Sequence, residues 1–153
     1  MALCHKTLIG FLLFMAVLLV SARSEAPTAY EMLEKFNFPK GILPEGVKGY
    51  KLHEDGSFEV HLSGPCNFNV DGGYSLSYRS KISGQVSLGS LKKLQGVSVK
   101  ILFIWIGITE VSRAEDQLDF FVGPLAASFP LSNFDECPTC GCGLNCANPI
   151  ADA

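Results

Sequence analysis

Residues 97–111 read VSVKILFIWIGITEV, and the fold turns on whether this run is one strand. Taken as a strand, Val97, Val99, Ile101, Phe103 and Trp105 share one face, while Leu102, Ile104, Ile106 and Ile108 share the other. A strand of a one-sided sheet needs only one apolar face. The run is therefore expected to be a central strand, with core on one side and a helix or second layer on the other. Ile101, Phe103 and Trp105 would then be core or would line a cavity for an apolar ligand. Stacked large side chains ordinarily fill a small barrel, which favours core.

The rest of the chain supports a mainly β reading. Phe58, Val60 and Leu62 alternate with polar residues, as do Tyr74, Leu76 and Tyr78. Asp55-Gly56 and Asp71-Gly72-Gly73 fall between these runs as hairpin turns. Further strands are expected at 66–70, 82–88 and 118–122. One helix precedes them. Thr28 and Glu31 make a T-x-x-E capping box; Ala29, Met32, Leu33 and Phe36 repeat at helical spacing, and Pro39 and Gly41 prevent continuation. The expected architecture is a single antiparallel barrel-like or sandwich domain with an N-terminal helix.

Lys6, the apolar run Leu8–Val20 and the small residues of SARSEA have the form of a secretory signal peptide. The apolar run would rise only about 20 Å as a helix, short of the roughly 30 Å hydrocarbon core. Cleavage is expected after Ala22 or Ser24. The expected organisation is a signal peptide over 1–24, a β domain over 25–134 and a cysteine-rich tail over 135–153, with export to the extracellular space or apoplast. Loss of Lys6 and Arg23 makes the formal charge of −3 more negative. An acidic chain without a basic cluster is a poor ligand for nucleic acid or anionic bilayers. No second apolar run approaches membrane-spanning length.

The tail DECPTCGCGLNC (135–146) crowds Cys137, Cys140, Cys142 and Cys146 together, and Cys66 stands apart on a strand. In an oxidising compartment these five are disulfide candidates. The C-x-x-C, C-x-C and C-x-x-x-C spacings in one run lack the paired hooks of a zinc site, and CPTC lacks a thioredoxin-like context. Connectivity stays open: Cys66 anchors the tail, or the tail pairs internally and leaves Cys66 free.

Catalytic patterns are sparse. No G-x-S-x-G pentad occurs, and the glycines form neither a P-loop nor a dinucleotide fingerprint. Glu59, His61 and Ser63 share a strand face, but parallel side chains about 6.6 Å apart make a poor relay and a good solvated surface. No catalytic residue, metal or cofactor is expected.

Four segments in order carry a resemblance: AYEMLEKFNFPKGILPEGVKGYKL, DGSFEVHLSGPC, ISGQVSLGSLKKLQGVSVKILFIWIGITEV and LDFFVGPLAASFPLSNFDECPTCGCG. From about Thr28 to Cys146 the chain resembles the plant domain-of-unknown-function 538 family. That resemblance implies a compact, mainly β, barrel-like fold with an N-terminal helix. It also brings an analogy to the lipid-binding domains of bactericidal permeability-increasing proteins, and suggestions of pigment or ester chemistry. The expectation is a secreted module that binds an apolar small molecule or lipid. The alternatives are an extracellular interaction or structural protein with a stapled tail, or an esterase acting on pigments.

Overall fold

The computed structural model describes residues 25–70 and 73–141. The predicted signal peptide, Cys142 and Cys146 lie outside the described residues. Helix α1 spans Ala29–Lys35, and both halves of the capping box form: Glu31 N donates to Thr28 Oγ1 at 3.2 Å and Thr28 N to Glu31 Oε2 at 2.9 Å. A helix this short has little stability alone. Its position is held by Asn37, which turns the chain left-handed at φ 68°. Arg113 Nη1 donates to the Asn37 carbonyl and to its Oδ1, and Gly89 N donates to the Phe36 carbonyl.

Eight strands follow: β1 (Val47–Leu52), β2 (Ser57–Leu62), β3 (Cys66–Val70), β4 (Tyr74–Ser87), β5 (Ser90–Ile101), β6 (Ile104–Ala114), β7 (Gln117–Val122) and β8 (Leu125–Pro130). They make one antiparallel sheet in the order β1-β2-β4-β5-β6-β7-β8. Strand β3 pairs with the first half of β4 and β2 with the second half, so β2 and β3 succeed one another along the same edge of β4. Apart from β2 and β3, the connections are those of a meander, with neighbours in sequence pairing in space.

The sheet curls without closing into a barrel. Strands β4 and β8 are separated by β5, β6 and β7, yet the Tyr74 and Phe129 rings meet edge-on at 6.2 Å. Register shifts on β4 between Tyr78 and Ser83, and on β5 between Leu91 and Ser98, supply the extra residues that bend these long strands. The core sits on the concave face and includes Val60, Phe68, Tyr78, Ile82, Val97, Val99, Ile108 and Leu118, with Ala29 and Phe38 added from the helical segment. A 3-10 turn over Leu131–Phe134 follows β8.

The predicted central strand 97–111 is corrected by this topology. Ile101 pairs with Ile104, and Leu102-Phe103 form a two-residue hairpin turn with φ 48° and 73°. Those signs define a type I′ turn, which ordinarily takes Asn-Gly. Bulky residues there disguise the reversal, so a strand–turn–strand reads as a continuous apolar strand. Consequently Phe103 is 90% exposed and Trp105 48% exposed, and neither is core, whereas Ile101 is half-buried. Strands β1 and β8 were not anticipated, and the separate runs at 74–78 and 82–88 belong to one bulged strand, β4.

The left-handed conformation is costly for Leu and Phe, by roughly 1–3 kcal/mol each. Leu102→Asn with Phe103→Gly is therefore expected to raise the urea unfolding free energy by about 1–2 kcal/mol. An unchanged or lowered midpoint at constant m would show that the native turn is not strained.

Candidate functional site

The concave face encloses a cavity of about 590 Å³. Every strand contributes to its lining in the two-residue rhythm of the sheet: Tyr50 and Leu52 from β1, Phe58 and Val60 from β2, Phe68 and Val70 from β3, Leu76 and Ile82 from β4. Val97, Val99 and Ile101 of β5, Ile108 of β6, Phe120 of β7 and Ala127 of β8 complete the wall. Met32 and Leu33 of α1 and Phe36 at its C-cap form the cover. Core and cavity lining, set apart as alternatives at the level of sequence, are thus the same residues on β5. Four rings cluster on one side, where Phe120 meets Phe129 at 5.9 Å and Phe134 at 5.6 Å, and Phe129 meets Tyr74.

Three phenols in and around the cavity wall are engaged by the fold. Tyr78, in the wall, donates to the Ile42 carbonyl at 2.7 Å, and burial pushes its phenol well above the ordinary tyrosine range. Tyr50 donates to the Pro27 carbonyl and Tyr30 to the Pro44 carbonyl, each at 2.7 Å. These three phenols pin the segments flanking α1 over the sheet. They satisfy carbonyls that would otherwise be costly to bury. Among the described residues no histidine lines the cavity, and its acidic lining residues, Asp135 and Glu136, are exposed. The site can therefore sort ligands by shape and apolar area.

Glu59 and His61 lie elsewhere, on β2. His61 Nε2 stands 3.4 Å from Glu59 and Lys81 Nζ 3.0 Å from it, all at the surface. Ser57 and Ser83 line a second cleft with His53, and the side-chain partner of Ser57 is Asp55, to which it donates at 2.6 Å. Among the described residues no serine hydroxyl is hydrogen-bonded to an imidazole.

The segment after β8 runs from the 3-10 turn back to the other side of the sheet. Glu45 N donates to the Pro138 carbonyl, Gly141 N donates to the Asn67 carbonyl of β3, and Cys140 is disulfide-bonded to Cys66. Gly41 lies directly beneath this strap. A Cβ there would collide with the Phe134 carbonyl and sit 2.5 Å from that of Glu136. Cys66 is fully buried at the head of β3, so the strap is bolted to the sheet from inside. Cys137 has no disulfide partner among the described residues. Burial, and then Glu45, push its thiol above the ordinary value, while Lys40 acts against them. The sequence pointed to Cys66 and the tail but left the pairing open, and it held no sign that the aromatic side of the cavity includes Phe134 and Tyr74.

Two measurements follow from these contacts. The Cys66–Cys140 bridge spans 74 residues, so Cys66→Ala is expected to cost up to about 4 kcal/mol by the chain-entropy estimate. Urea unfolding of the intact and variant proteins checks this, and a loss below about 1 kcal/mol would mean that the strap is held by its backbone contacts alone. The Lys81 hydrogen bond, Lys81 charge and His61 hold the Glu59 carboxyl below its ordinary value of 4.5. Because the folded value is the lower one, this stabilisation is present above the unfolded value and disappears as pH falls through the folded one. Glu59→Gln should reduce the acid-side slope of thermal stability by lowering stability slightly at neutral pH and leaving it nearly unchanged in acid; an unaltered slope would remove Glu59 from the account.

No curated protein matches the chain. A family model described as "Protein of unknown function, DUF538" matches residues 29–135, from the first residue of α1 to the start of the strap. With the whole curled sheet inside that match, the chain belongs to the DUF538 family.

Proposed function

We propose that the protein is a binding module for an apolar small molecule or lipid held inside the curled sheet. The observation that carries this reading is the cavity of about 590 Å³ with a mostly apolar wall. Small-molecule sites are typically about 300–1,000 Å³, mostly apolar and lightly furnished with polar groups. The aromatic cluster on one side gives a flat-faced ligand surfaces to stack on. The acidic balance of the chain favours an uncharged ligand over an anionic one. The same proposal includes export, with residues 1–24 as a leader, 25–134 as the binding domain and 135–153 as the stapled tail. The disulfide supports it, because such bridges persist in oxidising compartments.

The test uses protein purified from a secretory host. Organic extraction is expected to release a lipophile in near-stoichiometric amount, and a fluorescent fatty-acid probe should bind saturably to the emptied protein. Ala127→Trp, at an exposed position of β8 that lines the cavity, should weaken the probe at least about tenfold while changing stability by no more than about 1 kcal/mol. The absence of both an extractable lipophile and saturable probe binding would defeat the proposal.

A further inference from the structure

The β5–β6 hairpin has a feature that neither the core nor the cavity requires. The β1–β2, β3–β4, β4–β5 and β7–β8 turns each place a glycine at positive φ, namely Gly56, Gly73, Gly89 and Gly123. The β6–β7 turn uses a charged residue, Glu115, at φ 52°, and the β5–β6 turn differs from all of these in committing two large apolar residues, Leu102 and Phe103, to that conformation. Both are almost fully exposed, at 85% and 90%, and Ile104 is 62% exposed. Folding by itself would be served better by Asn-Gly. A strained turn built from large apolar side chains facing water is a reason to look for a surface that they enter.

Three observations say what that surface is. The tip stands clear of the sheet on one side, because β7 first pairs with β6 at Ile108 and leaves 104–107 without a neighbour there. Polarity is layered along the hairpin. Leu102 and Phe103 form the extremity; Lys100 and Trp105 pair across the outer face, with the ammonium 5.9 Å from the indole centroid; Ser98 pairs with Gly107 behind them. The Lys100–Trp105 pair lies two residues back from the turn, about 7 Å along the strands. A bilayer has the matching order over about 5–10 Å, from acyl chains through the aromatic-rich boundary to phosphate, which an ammonium can reach. Finally, the tip is continuous with the cavity: Ile101, which lines it, is the residue immediately before the turn, and Tyr74, which also lines it, is 40% exposed.

We propose that the Leu102–Trp105 tip is a membrane-docking element that inserts into the surface of a lipid bilayer and sets the adjoining rim of the cavity against it. Insertion is driven by apolar burial, and the net negative charge of the chain makes a zwitterionic surface the matching one. A protein partner would not call for the cation and indole to sit behind a fully apolar extremity in this order. The proposal concerns the tip and stands whether or not the cavity carries a ligand. Probe binding in Ala127→Trp reports on the cavity, and the tip has its own reporter.

That reporter is Trp105, the only tryptophan of the chain. On adding vesicles of dioleoylphosphatidylcholine, its emission is expected to move to shorter wavelength, and vesicles with acyl-brominated lipid should quench it. The shift should persist at high salt. The paired substitution Leu102→Asn and Phe103→Gly keeps Trp105 and suits the turn; it should lower vesicle partitioning at least about tenfold, with the circular dichroism spectrum and melting cooperativity retained. Failure of native Trp105 to be quenched by brominated vesicles would overturn the proposal, as would undiminished partitioning of the paired variant. Sedimentation showing a dimer dissolved by the same substitutions, with no vesicle binding, would assign the tip to a second copy instead and equally overturn it.

Discussion

An antiparallel meander that curls but does not close has to solve two problems at once: its concave face must be covered, and its open side must be bridged. Everything else in this molecule depends on how that is done. The cover is α1, and the bridge is the strap after β8, tied to β3 by Cys66–Cys140 and by the Gly141 to Asn67 hydrogen bond. In a closed barrel, strand pairing would join first and last strands. Here one covalent bond and a few backbone contacts take that part, which leaves the interior incompletely filled. Gly41 fits the arrangement, since the strap carbonyls lie where any side chain would begin.

The cover has little stability of its own and is held by polar contacts at its margins. Tyr30, Tyr50 and Tyr78 each reach a backbone carbonyl in the segments that flank α1, and Arg113 grips the Asn37 turn at its end. This division of labour explains why the cavity is chemically quiet. The Tyr50 and Tyr78 phenols, which could have offered a ligand hydrogen bonds, are occupied by the fold, and the charged groups of β2 are outside. A site of this kind discriminates by volume and contact area, where each apolar group buried contributes modestly and additively.

The hairpin tip is the counterpart of that quiet interior. Apolar side chains are enclosed everywhere on the concave face, yet four consecutive large ones are exposed at the β5–β6 reversal. Their position next to Ile101 joins the most apolar part of the exterior to the cavity wall. A lipophile moving between a bilayer and the cavity would then have a short route that avoids water.

The sequence by itself determined the elements whose signals are local. The capping box of α1, the alternation of β2 and the glycine turns could be read because their causes lie within a few residues. Local signals also misled, at 97–111, where a turn made of Leu and Phe carried none of the usual punctuation. Strands β1 and β8 carry a weak signal for a related reason: Gly49 and the small residues Ala126, Ala127 and Ser128 interrupt the apolar rhythm. Only the tertiary structure decided that Cys66 meets Cys140 across 74 residues, and that Tyr74 meets Phe129 across the opening. It alone decided that the strongly apolar faces bound a cavity. Those outcomes depend on how far the sheet curls, and curl is a cumulative property of twist, bulges and register over eight strands, which no local window of residues contains.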